Sequence, residues 1–354
     1  MPREYAIAVI PGDGIGDEVI REGRKVLDAL ASIFGFKLKY TDYPWGADHY
    51  LKTGVTMPDS AIDEYRQQRA VYLGAIGDPR IEVGLIERAV IAGLRFKLDL
   101  YVNLRPIKLY DARFCPIKEK KPEDVDLVVV RENTEDAYTG IGGTFKQGTP
   151  DEIAIATMLY TRKGCERAIR YGFELAKKRK RRKLTLIDKA NAVRPQDIWT
   201  RTFAEVAKEY PEVETDHAYI DAACMWLVKN PESFDVCVTP NIFGDIFTDL
   251  GAMVQGGLGI AASGNLHPGR TSMFEPIHGS APKYRGKNAA NPLAAINAAG
   301  MMLNYLSKAK TATVCEQAIA GLLTSGRIQS LGAGVLKTSE IGDMVTAEVQ
   351  KLAK

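Results

Sequence analysis

The chain has 354 residues, of which 45% are hydrophobic and 26% charged, and its formal net charge at pH 7 is +3. This composition is typical of a globular protein with one large domain or two ordinary ones, and the small charge argues against nucleic-acid or membrane partners. No apolar run reaches about 18 residues, so no membrane span is expected. The first residues, MPREYAIAVI, enter a strand-like run without a signal peptide, and the five cysteines show no paired or metal-type spacing. We therefore expect a cytoplasmic protein with reduced thiols.

Segments that resemble strands and helices alternate along the chain. From the N-terminus, the strand YAIAVI precedes the helix DEVIREGRKVLDALASIF, and the strands KLKYTDYP and AVYLGAIG follow. The helix LIERAVIAGLRFKLDL comes next, then the strand DLVVVRE, the helix GCERAIRYGFELAKKRK and the strand KLTLIDKAN. The helix IWTRTFAEVAKEY precedes the last two predicted strands, VETDHAYID and DVCVTPN. This alternation predicts an α/β fold around a largely central sheet.

The glycine-rich segment VIPGDGIGDEV follows the first predicted strand. A dinucleotide-binding fingerprint needs a third glycine three residues after Gly14, but that position is Asp17, and Gly16 comes one residue early. An acidic side chain there would also repel a pyrophosphate. We interpret the segment as a tight turn between a strand and a helix, in which glycines permit unusual backbone angles.

A basic run, KKRKRRK, occupies residues 177–183. Such a run is compatible with RNA binding. However, no aromatic residues are interspersed with it, and it closes a predicted helix whose C-terminus favours cations. We favour a solvated helix end.

Three arginines, Arg95, Arg105 and Arg131, lie beside apolar runs. The planar guanidinium group is suited to bidentate binding of carboxylates. Together they predict a small di- or tricarboxylate substrate, whereas any one of them alone would more simply form a surface ion pair.

Three aspartates and a lysine–tyrosine pair complete the candidate chemistry. Asp245 and Asp249 are four residues apart on a helix expected to begin near Gly244, and Asp221 ends another predicted strand. Carboxylate oxygens of this kind suit Mg²⁺ or Mn²⁺. Lys189 follows a predicted buried strand, where desolvation and neighbouring cations can make a lysine a base, and Tyr138 can supply a proton.

Several motifs resemble, in order and spacing, those of the β-decarboxylating dehydrogenases. They are PGDGIG, NLRP, R-E-x-T-E-x-x-Y-x-G, DKAN, NIFGDIFTDL, EPIHGSAP and AANP, and they extend from about residue 5 to 345. That family includes isopropylmalate, isocitrate, homoisocitrate and D-malate/tartrate dehydrogenases, and isopropylmalate dehydrogenases are the most similar. The resemblance implies a two-domain α/β fold that is not a Rossmann fold, with the glycine turn near the cofactor cleft.

The resemblance also implies a domain division and an assembly. Residues 1–100 plus 251–354 would form the first α/β domain with the cofactor loop, and residues 101–250 the second domain with a dimer-forming arm. The expected assembly is a homodimer with shared active sites, and a higher oligomer remains open. The expected partner is a small 2-hydroxy dicarboxylate substrate rather than nucleic acid or a membrane.

Roles for the candidate residues follow from the same resemblance. Arg95, Arg105 and Arg131 would bind the substrate's carboxylates. Asp245 and Asp249, with Asp221 from the other subunit, would hold Mg²⁺ or Mn²⁺. Lys189, also from the other subunit, would accept the hydroxyl proton, and Tyr138 would protonate the enol carbon after loss of CO₂.

The cofactor would be NAD or NADP. The residues that the resemblance assigns to cofactor binding are Pro11, Glu275, His278, Gly279, Ser280, Ala281, Lys283, Tyr284 and Asn291. NAD-using members have an aspartate where this chain has Lys283, and a Lys-Tyr pair is similar to the one in NADP-using isocitrate dehydrogenases. Ala290 instead resembles the NAD pattern, and residues 326–329 offer no Tyr/Arg pair. NAD is the expectation for the family, and Lys283 with Tyr284 leaves NADP or dual use open.

The helix before Arg95 bears on the choice of substrate. Isocitrate enzymes have a serine and an asparagine where this chain has Ala89 and Ile91, and Ile91, Ala92 and Leu94 offer an apolar surface for an isopropyl group. We therefore expect oxidative decarboxylation of 3-isopropylmalate to 2-oxoisocaproate, a step of leucine biosynthesis.

Other activities remain open. Arg88, seven residues before Arg95 on the same helical face, could receive a distal carboxylate, which keeps isocitrate and homoisocitrate as alternative substrates. D-malate/tartrate is a further alternative within the family. A non-catalytic subunit of the family should lack one of the catalytic groups, and none of those named above is missing.

Overall fold

The computed structural model describes residues 3–353. These residues divide into two compact units. Unit 1 comprises residues 3–100, 105–125 and 252–353, and unit 2 comprises residues 101–104 and 126–251. The expected domains, 1–100 plus 251–354 and 101–250, remain a prediction; in the observed division residues 105–125 belong to unit 1.

The strands are β1 (Glu4–Gly12), β2 (Lys37–Asp42), β3 (Ala70–Ala75), β4 (Val102–Lys108), β5 (Asp126–Glu132), β6 (Gly142–Phe145), β7 (Ile153–Ala156), β8 (Lys183–Asp188), β9 (Glu214–Tyr219), β10 (Val236–Thr239), β11 (Ala262–Leu266) and β12 (Ser272–Pro276). The α-helices are α1 (Gly16–Phe34), α2 (Ala47–Thr53), α3 (Ser60–Arg66), α4 (Leu85–Glu87), α5 (Gly93–Lys97), α6 (Arg162–Ala176), α7 (Asp197–Ala207), α8 (Ile220–Lys229), α9 (Asn241–Val254), α10 (Leu293–Tyr305), α11 (Ala309–Thr324) and α12 (Thr338–Leu352). A π-helical turn, Arg88–Ala92, joins α4 to α5. Short 3₁₀ turns lie at Ala112–Phe114, Pro122–Asp124, Asp136–Thr139, Arg194–Gln196, Pro231–Ser233 and Pro282–Tyr284.

Unit 1 is built on strands in the order β2-β1-β3-β12-β11. Neighbouring strands are parallel except for β11 and β12, which pair antiparallel. β3, with the sequence AVYLGA, is buried along its whole length, as expected for a strand covered on both faces. Helices α1, α10, α11 and α12 pack against one another, and α10 also packs against β12. The apolar core of this unit therefore lies between the sheet and its helices.

Unit 2 contains the parallel strands β5-β10-β8-β9. β10, with the sequence VCVT, is fully buried, whereas β9 is largely exposed. Helices α6 and α7 pack against each other, and α6 covers β5, β8 and β10. The strands β6 and β7 form a separate antiparallel pair whose eight residues are all exposed.

The glycine-rich segment is a close-packed turn between β1 and α1. Gly12 and Gly14 have φ angles of +78° and +57°. A Cβ atom on Gly14 would lie 1.9 Å from the carbonyl oxygen of Ser280, and one on Gly16 would lie 2.1 Å from that of Pro11. The predicted tight turn is therefore present, and close backbone approach is the reason for its glycines.

The basic run follows α6 and is held by acidic groups of unit 2. Arg179 contacts Asp235 at 2.5 Å and Asp126 at 2.9 Å, and Lys183 contacts Asp216 at 2.9 Å. Several of its positive charges are thus neutralised within the fold. The interpretation as a solvated helix end applies only to the exposed residues Lys178, Lys180, Arg181 and Arg182.

The cysteines and the helices bear on the predictions of reduced thiols and of no membrane span. All five cysteines lie within the described residues and are free thiols; three of them, Cys165, Cys237 and Cys315, are buried. Between residues 3 and 353, no helix combines the length and apolar character that a membrane span needs.

Candidate active site

A cavity of about 130 Å³ lies within unit 1, at the carboxyl ends of the neighbouring parallel strands β3 and β12. Its walls include the predicted substrate residues Ile91, Arg95 and Arg105 and the predicted cofactor residues Glu275, His278 and Gly279. The carboxyl ends of parallel strands are the usual position of ligand sites in α/β folds. Residues chosen from separate motifs therefore meet around one space.

Arg95 is oriented by a buried carboxylate. Its NH2 group donates to Oε1 of Glu275 at 3.2 Å, and this oxygen also accepts from Asn265 Nδ2 at 2.8 Å and Ser263 Oγ at 3.4 Å. The Nε atom of Arg95 is enclosed and has no hydrogen-bond partner among the described residues. A buried donor without a partner is costly, so this atom fits a ligand carboxylate.

The helix that carries Arg95 changes pitch at its π-helical turn, where the N–H of Gly93 donates to the carbonyl of Arg88. Because this turn contains one extra residue, the residues before it are rotated by about 100° from their positions in a plain α-helix of the same length. As a result, the side chain of Arg88 is 67% exposed and contacts Glu82 at 3.3 Å, whereas that of Arg95 is only 15% exposed. The expectation that Arg88 and Arg95 share a face is therefore wrong.

Ile91, Ala92 and Leu94 were expected to form one apolar surface toward the substrate, but only Ile91 reaches the cavity. Leu94 is fully buried in the core of unit 1, and Ala92 does not line the cavity. Ile91 packs partly on that core and partly lines the cavity. The apolar surface toward the cavity is smaller than the sequence indicated.

The predicted cofactor loop is fixed against the glycine turn. The N–H of Ile15 donates to the carbonyl of Ser280 at 2.8 Å, and the hydroxyl of Ser280 donates to the carbonyl of Gly77. The next residue, Ala281, has a φ of +41°. Lys283 is exposed on the following 3₁₀ turn, with its Nζ atom 4.9 Å from the ring centroid of Tyr284.

The remaining predicted cofactor residues have different environments. Asn291 is buried; its Oδ1 accepts from the N–H of Leu293 at the start of α10, and its Nδ2 donates to Leu331 at 3.2 Å. Burial lowers the pKa of His278, whose Nε2 is enclosed without a hydrogen-bond partner within residues 3–353. Pro11 lines a different cavity, of about 1010 Å³. The side chain of Asn291 thus serves the backbone, whereas Nε2 of His278 remains available to a ligand.

In unit 2, a second constellation forms around Asp245. Its Oδ1 accepts from NH1 of Arg131 at 2.5 Å, and its Oδ2 accepts from the hydroxyl of Tyr138 at 2.6 Å. Arg131 is 1% exposed, and its Nε donates to Asn241 at 2.8 Å. A Cβ atom on Gly244 would lie 2.5 Å from the side chain of Arg131. A predicted substrate residue, a predicted acid and a predicted metal ligand are therefore in direct contact.

The other predicted metal ligands are exposed. Helix α9 begins at Asn241 rather than near Gly244, and Asp249 is exposed on this helix. Asp221, in the first turn of α8, is 67% exposed and contacts the Nζ of Lys189 at 2.7 Å. The ammonium group of Lys189 lowers the pKa of Asp221.

The donor set fits a divalent ion by its chemistry, because carboxylate oxygens are the preferred ligands of Mg²⁺ and Mn²⁺. Within residues 3–353 of one chain, no three His, Cys, Asp or Glu side chains form a ligand cluster. The prediction assigns Asp221 to the other subunit of a dimer, and it stays a prediction.

The family model of isocitrate/isopropylmalate dehydrogenases matches residues 6–345. The chain belongs to the isocitrate/isopropylmalate dehydrogenase family. A 3-isopropylmalate dehydrogenase of Thermobifida fusca is 46% identical over 350 residues, covering 98% of each chain. One of Corynebacterium glutamicum is 48% identical over 348 residues, covering 97% of this chain and 99% of the relative. The crystal structure of an isocitrate dehydrogenase from Methylococcus capsulatus is similar with a TM-score of 0.87 and 34% identity, covering 98% of this chain and 99% of the other.

Membership of the isocitrate/isopropylmalate dehydrogenase family confirms the resemblance drawn from the motifs and the expected α/β fold. It makes the protein a decarboxylating dehydrogenase, an oxidoreductase that acts on a small molecule. Members of this family depend on a nicotinamide cofactor and a metal ion.

Sequence reasoning missed two functional contacts. Glu275 was assigned to the cofactor, but its carboxylate also holds Arg95, which is 180 residues away in the chain. Asn241, which orients Arg131 across 110 residues, was not selected at all. The EPIHGSAP and NIFGDIFTDL motifs contain both residues, but nothing local in the sequence indicates their distant partners.

Proposed function

We propose that this protein catalyses the metal-dependent oxidative decarboxylation of 3-isopropylmalate to 2-oxoisocaproate, with hydride transfer to NAD or NADP. The observation that carries the choice of substrate is the cavity wall that combines Ile91 with Arg95 and Arg105. An apolar side chain beside two cations suits a malate with a branched alkyl substituent. The names of the relatives from Thermobifida fusca and Corynebacterium glutamicum support the same substrate. With 3-isopropylmalate as its substrate, the protein would act in leucine synthesis in the cytoplasm.

The arginines would bind and orient the two carboxylates. Arg95 offers its enclosed Nε donor, and it is prevented from rotating by the contact with Glu275. Arg131 is likewise fixed by Asn241 and Asp245. Guanidinium groups whose geometry is set in advance lose little entropy when they bind a carboxylate.

Proton transfer would be the task of Lys189 and Tyr138. When bound, the divalent ion would polarise the 2-hydroxyl and later the carbonyl as a Lewis acid, and the nicotinamide would accept the hydride. Lys189 would take the proton from the 2-hydroxyl. After CO₂ leaves, Tyr138 would donate its proton to the enol carbon, and its contact with Asp245 fixes the direction of the phenol group.

A homodimer would bring Lys189 and Asp221 to the other chain's site. Exposed apolar side chains on unit 2 support this assembly, because contiguous exposed apolar surface commonly marks an interface. They lie on α8, which also carries Asp221, and on the β6–β7 pair: Met225, Trp226, Val228, Phe145, Ile153 and Ile155.

Isocitrate or homoisocitrate is the second candidate substrate, favoured by the similarity to the Methylococcus capsulatus isocitrate dehydrogenase. A third carboxylate would need a further donor near Ile91. Arg88 does not line the cavity, which favours the apolar substrate. For the cofactor, we infer that NAD is used and that Lys283 permits NADP.

The decisive experiment is a matrix of initial rates. Purified protein with Mn²⁺ or Mg²⁺ is tested on 3-isopropylmalate, isocitrate, homoisocitrate and D-malate, each with NAD and with NADP. We expect the highest kcat/KM with 3-isopropylmalate, no turnover after complete chelation, and a dimer in gel filtration. Ile91→Ser should lower kcat/KM for 3-isopropylmalate, whereas Arg88→Ala, the matched control, should not. A preference for isocitrate that disappears in Arg88→Ala would reverse the substrate assignment.

A further inference from the structure

A continuous chain of hydrogen bonds crosses unit 2 from the Lys189 loop to the first turn of α9. The N–H of Lys189 donates to Gln196 Oε1 at 2.7 Å, and Gln196 Nε2 donates to the hydroxyl of Tyr160 at 2.7 Å. That hydroxyl donates to Asp136 Oδ1 at 2.9 Å, and Asp136 Oδ2 accepts from the N–H of Ile242 at 3.0 Å. Gln196 and Asp136 are completely buried.

The donors and acceptors of this hydrogen-bond chain can be arranged in only one way. Its two ends are backbone N–H groups, which only donate. Gln196 must therefore present its oxygen to Lys189 and its amide nitrogen to Tyr160. The hydroxyl of Tyr160 then accepts from Gln196 and must donate to Asp136, whose carboxylate has only acceptors to offer. Reversing any one group would bring two donors or two acceptors together in a buried place, which is costly.

Both ends of the chain carry candidate catalytic groups. Lys189 itself is one end, and Asp245 lies three residues after Ile242 on α9. Asp136 is two residues before Tyr138 and has a φ of +71°, an unusual conformation for a residue with a side chain. Such backbone strain persists only where the surroundings enforce it. The contacts of the Asp136 carboxylate at both oxygens supply that constraint.

We propose that Gln196, Tyr160 and Asp136 are positioning residues that fix the Lys189 loop relative to α9 and the Tyr138 loop. This inference rests on the proposed function, in which Lys189 acts as base and Tyr138 as acid. In the proposed homodimer, Lys189 serves the site of the other chain, whereas Tyr138 serves its own. The hydrogen-bond chain then links two active sites, so a displacement of α9 at one site shifts the base at the other.

The test exploits the fixed direction of the chain. Asp136→Asn replaces an acceptor by a donor and leaves one donor–donor contact. Gln196→Glu replaces a donor by an acceptor and leaves one acceptor–acceptor contact. The double variant restores a complete chain of opposite direction, because the glutamate accepts from Lys189 and from Tyr160, and the asparagine donates to Tyr160 and accepts from Ile242. It also keeps the net charge of the natural protein.

We expect each single variant to lower kcat about tenfold or more, the effect of one mismatched buried hydrogen bond. The KM for the cofactor should change less than twofold, because the predicted cofactor residues belong to unit 1. The double variant should recover most of kcat. Asp197→Asn, a change of the same type at an exposed position next to Gln196, is the matched control and should leave kcat unchanged.

Mn²⁺ affinity and the thermal midpoint are measured on the same proteins. Each single variant should weaken Mn²⁺ binding, because Asp245 follows Ile242 on α9, and the double variant should restore it. A double variant no better than the two singles would overturn the inference, as would single variants that lose thermal stability but keep full kcat. If the natural protein turned over none of the four acids, the proposed function would fail, whereas the pattern of Mn²⁺ binding would still decide the role of the hydrogen-bond chain.

Discussion

Replacing Gly14 by alanine tests how tightly the β1–α1 turn is packed against the cofactor loop. The added Cβ atom would lie 1.9 Å from the carbonyl oxygen of Ser280, far inside the 3.0 Å limit that real Cβ atoms respect. The carbonyl of Ser280 must therefore move, and the hydrogen bond that it accepts from Ile15 must lengthen or break.

Two terms give the expected loss of stability. The φ of +57° at Gly14 costs an alanine about 1–2 kcal/mol, and loss of the bond between Ile15 and Ser280 costs about 0.5–1.5 kcal/mol. The sum is about 1.5–3.5 kcal/mol. Gly35, which ends α1 with a φ of +67°, has nothing within 4 Å of an added Cβ. Gly35→Ala should therefore lose only the stability that corresponds to the positive φ, about 1–2 kcal/mol.

Equilibrium unfolding in urea measures both losses, and steady-state kinetics measures the KM for the cofactor. We expect Gly14→Ala to be the less stable variant and to show a raised cofactor KM, since Ala281 and Lys283 follow the displaced carbonyl. Gly35→Ala should keep the natural KM. Equal losses of stability in the two variants, or an unchanged KM in Gly14→Ala, would refute the argument that this contact holds the loop in place.

Three further predictions concern single side chains. Lys189→Ala should lower kcat about 10²–10⁴-fold, as expected for loss of a general base, with little change in the urea midpoint; a natural kcat would remove Lys189 from the mechanism. Lys283→Asp should move the ratio of kcat/KM values about tenfold toward NAD, because the substitution adds an acceptor for the ribose and removes a cation from a 2′-phosphate; an identical ratio would mean that cofactor choice is made elsewhere. The hydrogen bond to Asp188 raises the pKa of His217 above its ordinary value of 6.5. Its charged form therefore stabilises the fold fully below pH 6.5, and this contribution disappears as the pH rises through the raised pKa. In His217→Gln the thermal midpoint should depend less on pH in this range, and the same pH dependence as in the natural protein would contradict the assignment.

The α/β class and the family could be predicted because they depend on local patterns. Apolar runs such as AVYLGA mark strands that are buried on both faces, and the motifs keep chemistry-bearing residues at fixed spacings. The strands β11 and β12, ASGNL and SMFEP, were not predicted. Their buried polar residues break the apolar pattern because Glu275 holds Arg95, and Ser263 and Asn265 donate hydrogen bonds to Glu275. The sequence pattern thus fails where the strands serve the candidate site.

Two further errors come from assuming regular helices and local partners. The face shared by Arg88 and Arg95 was inferred from 3.6 residues per turn, and the π-helical turn invalidates that period. The role of Glu275 depends on a contact across 180 residues, which no sequence window contains.

The π-helical turn at Arg88–Ala92 gives this fold an evolutionary route that point substitution does not provide. Deleting one residue within the turn would restore a plain α-helix but leave the segments on either side in their present orientation, because a π-helical turn accommodates one inserted residue without rotating the helix that flanks it. The guanidinium of Arg88 would stay on its exposed side, and only the residues of the turn, Ile91 among them, would be displaced. A single in-frame codon loss or gain at this turn can therefore change the apolar side chain that faces the cavity without moving Arg88 or Arg95. The length of this helix, and not residue identity alone, should therefore be compared among family members to find where substrate preference has changed.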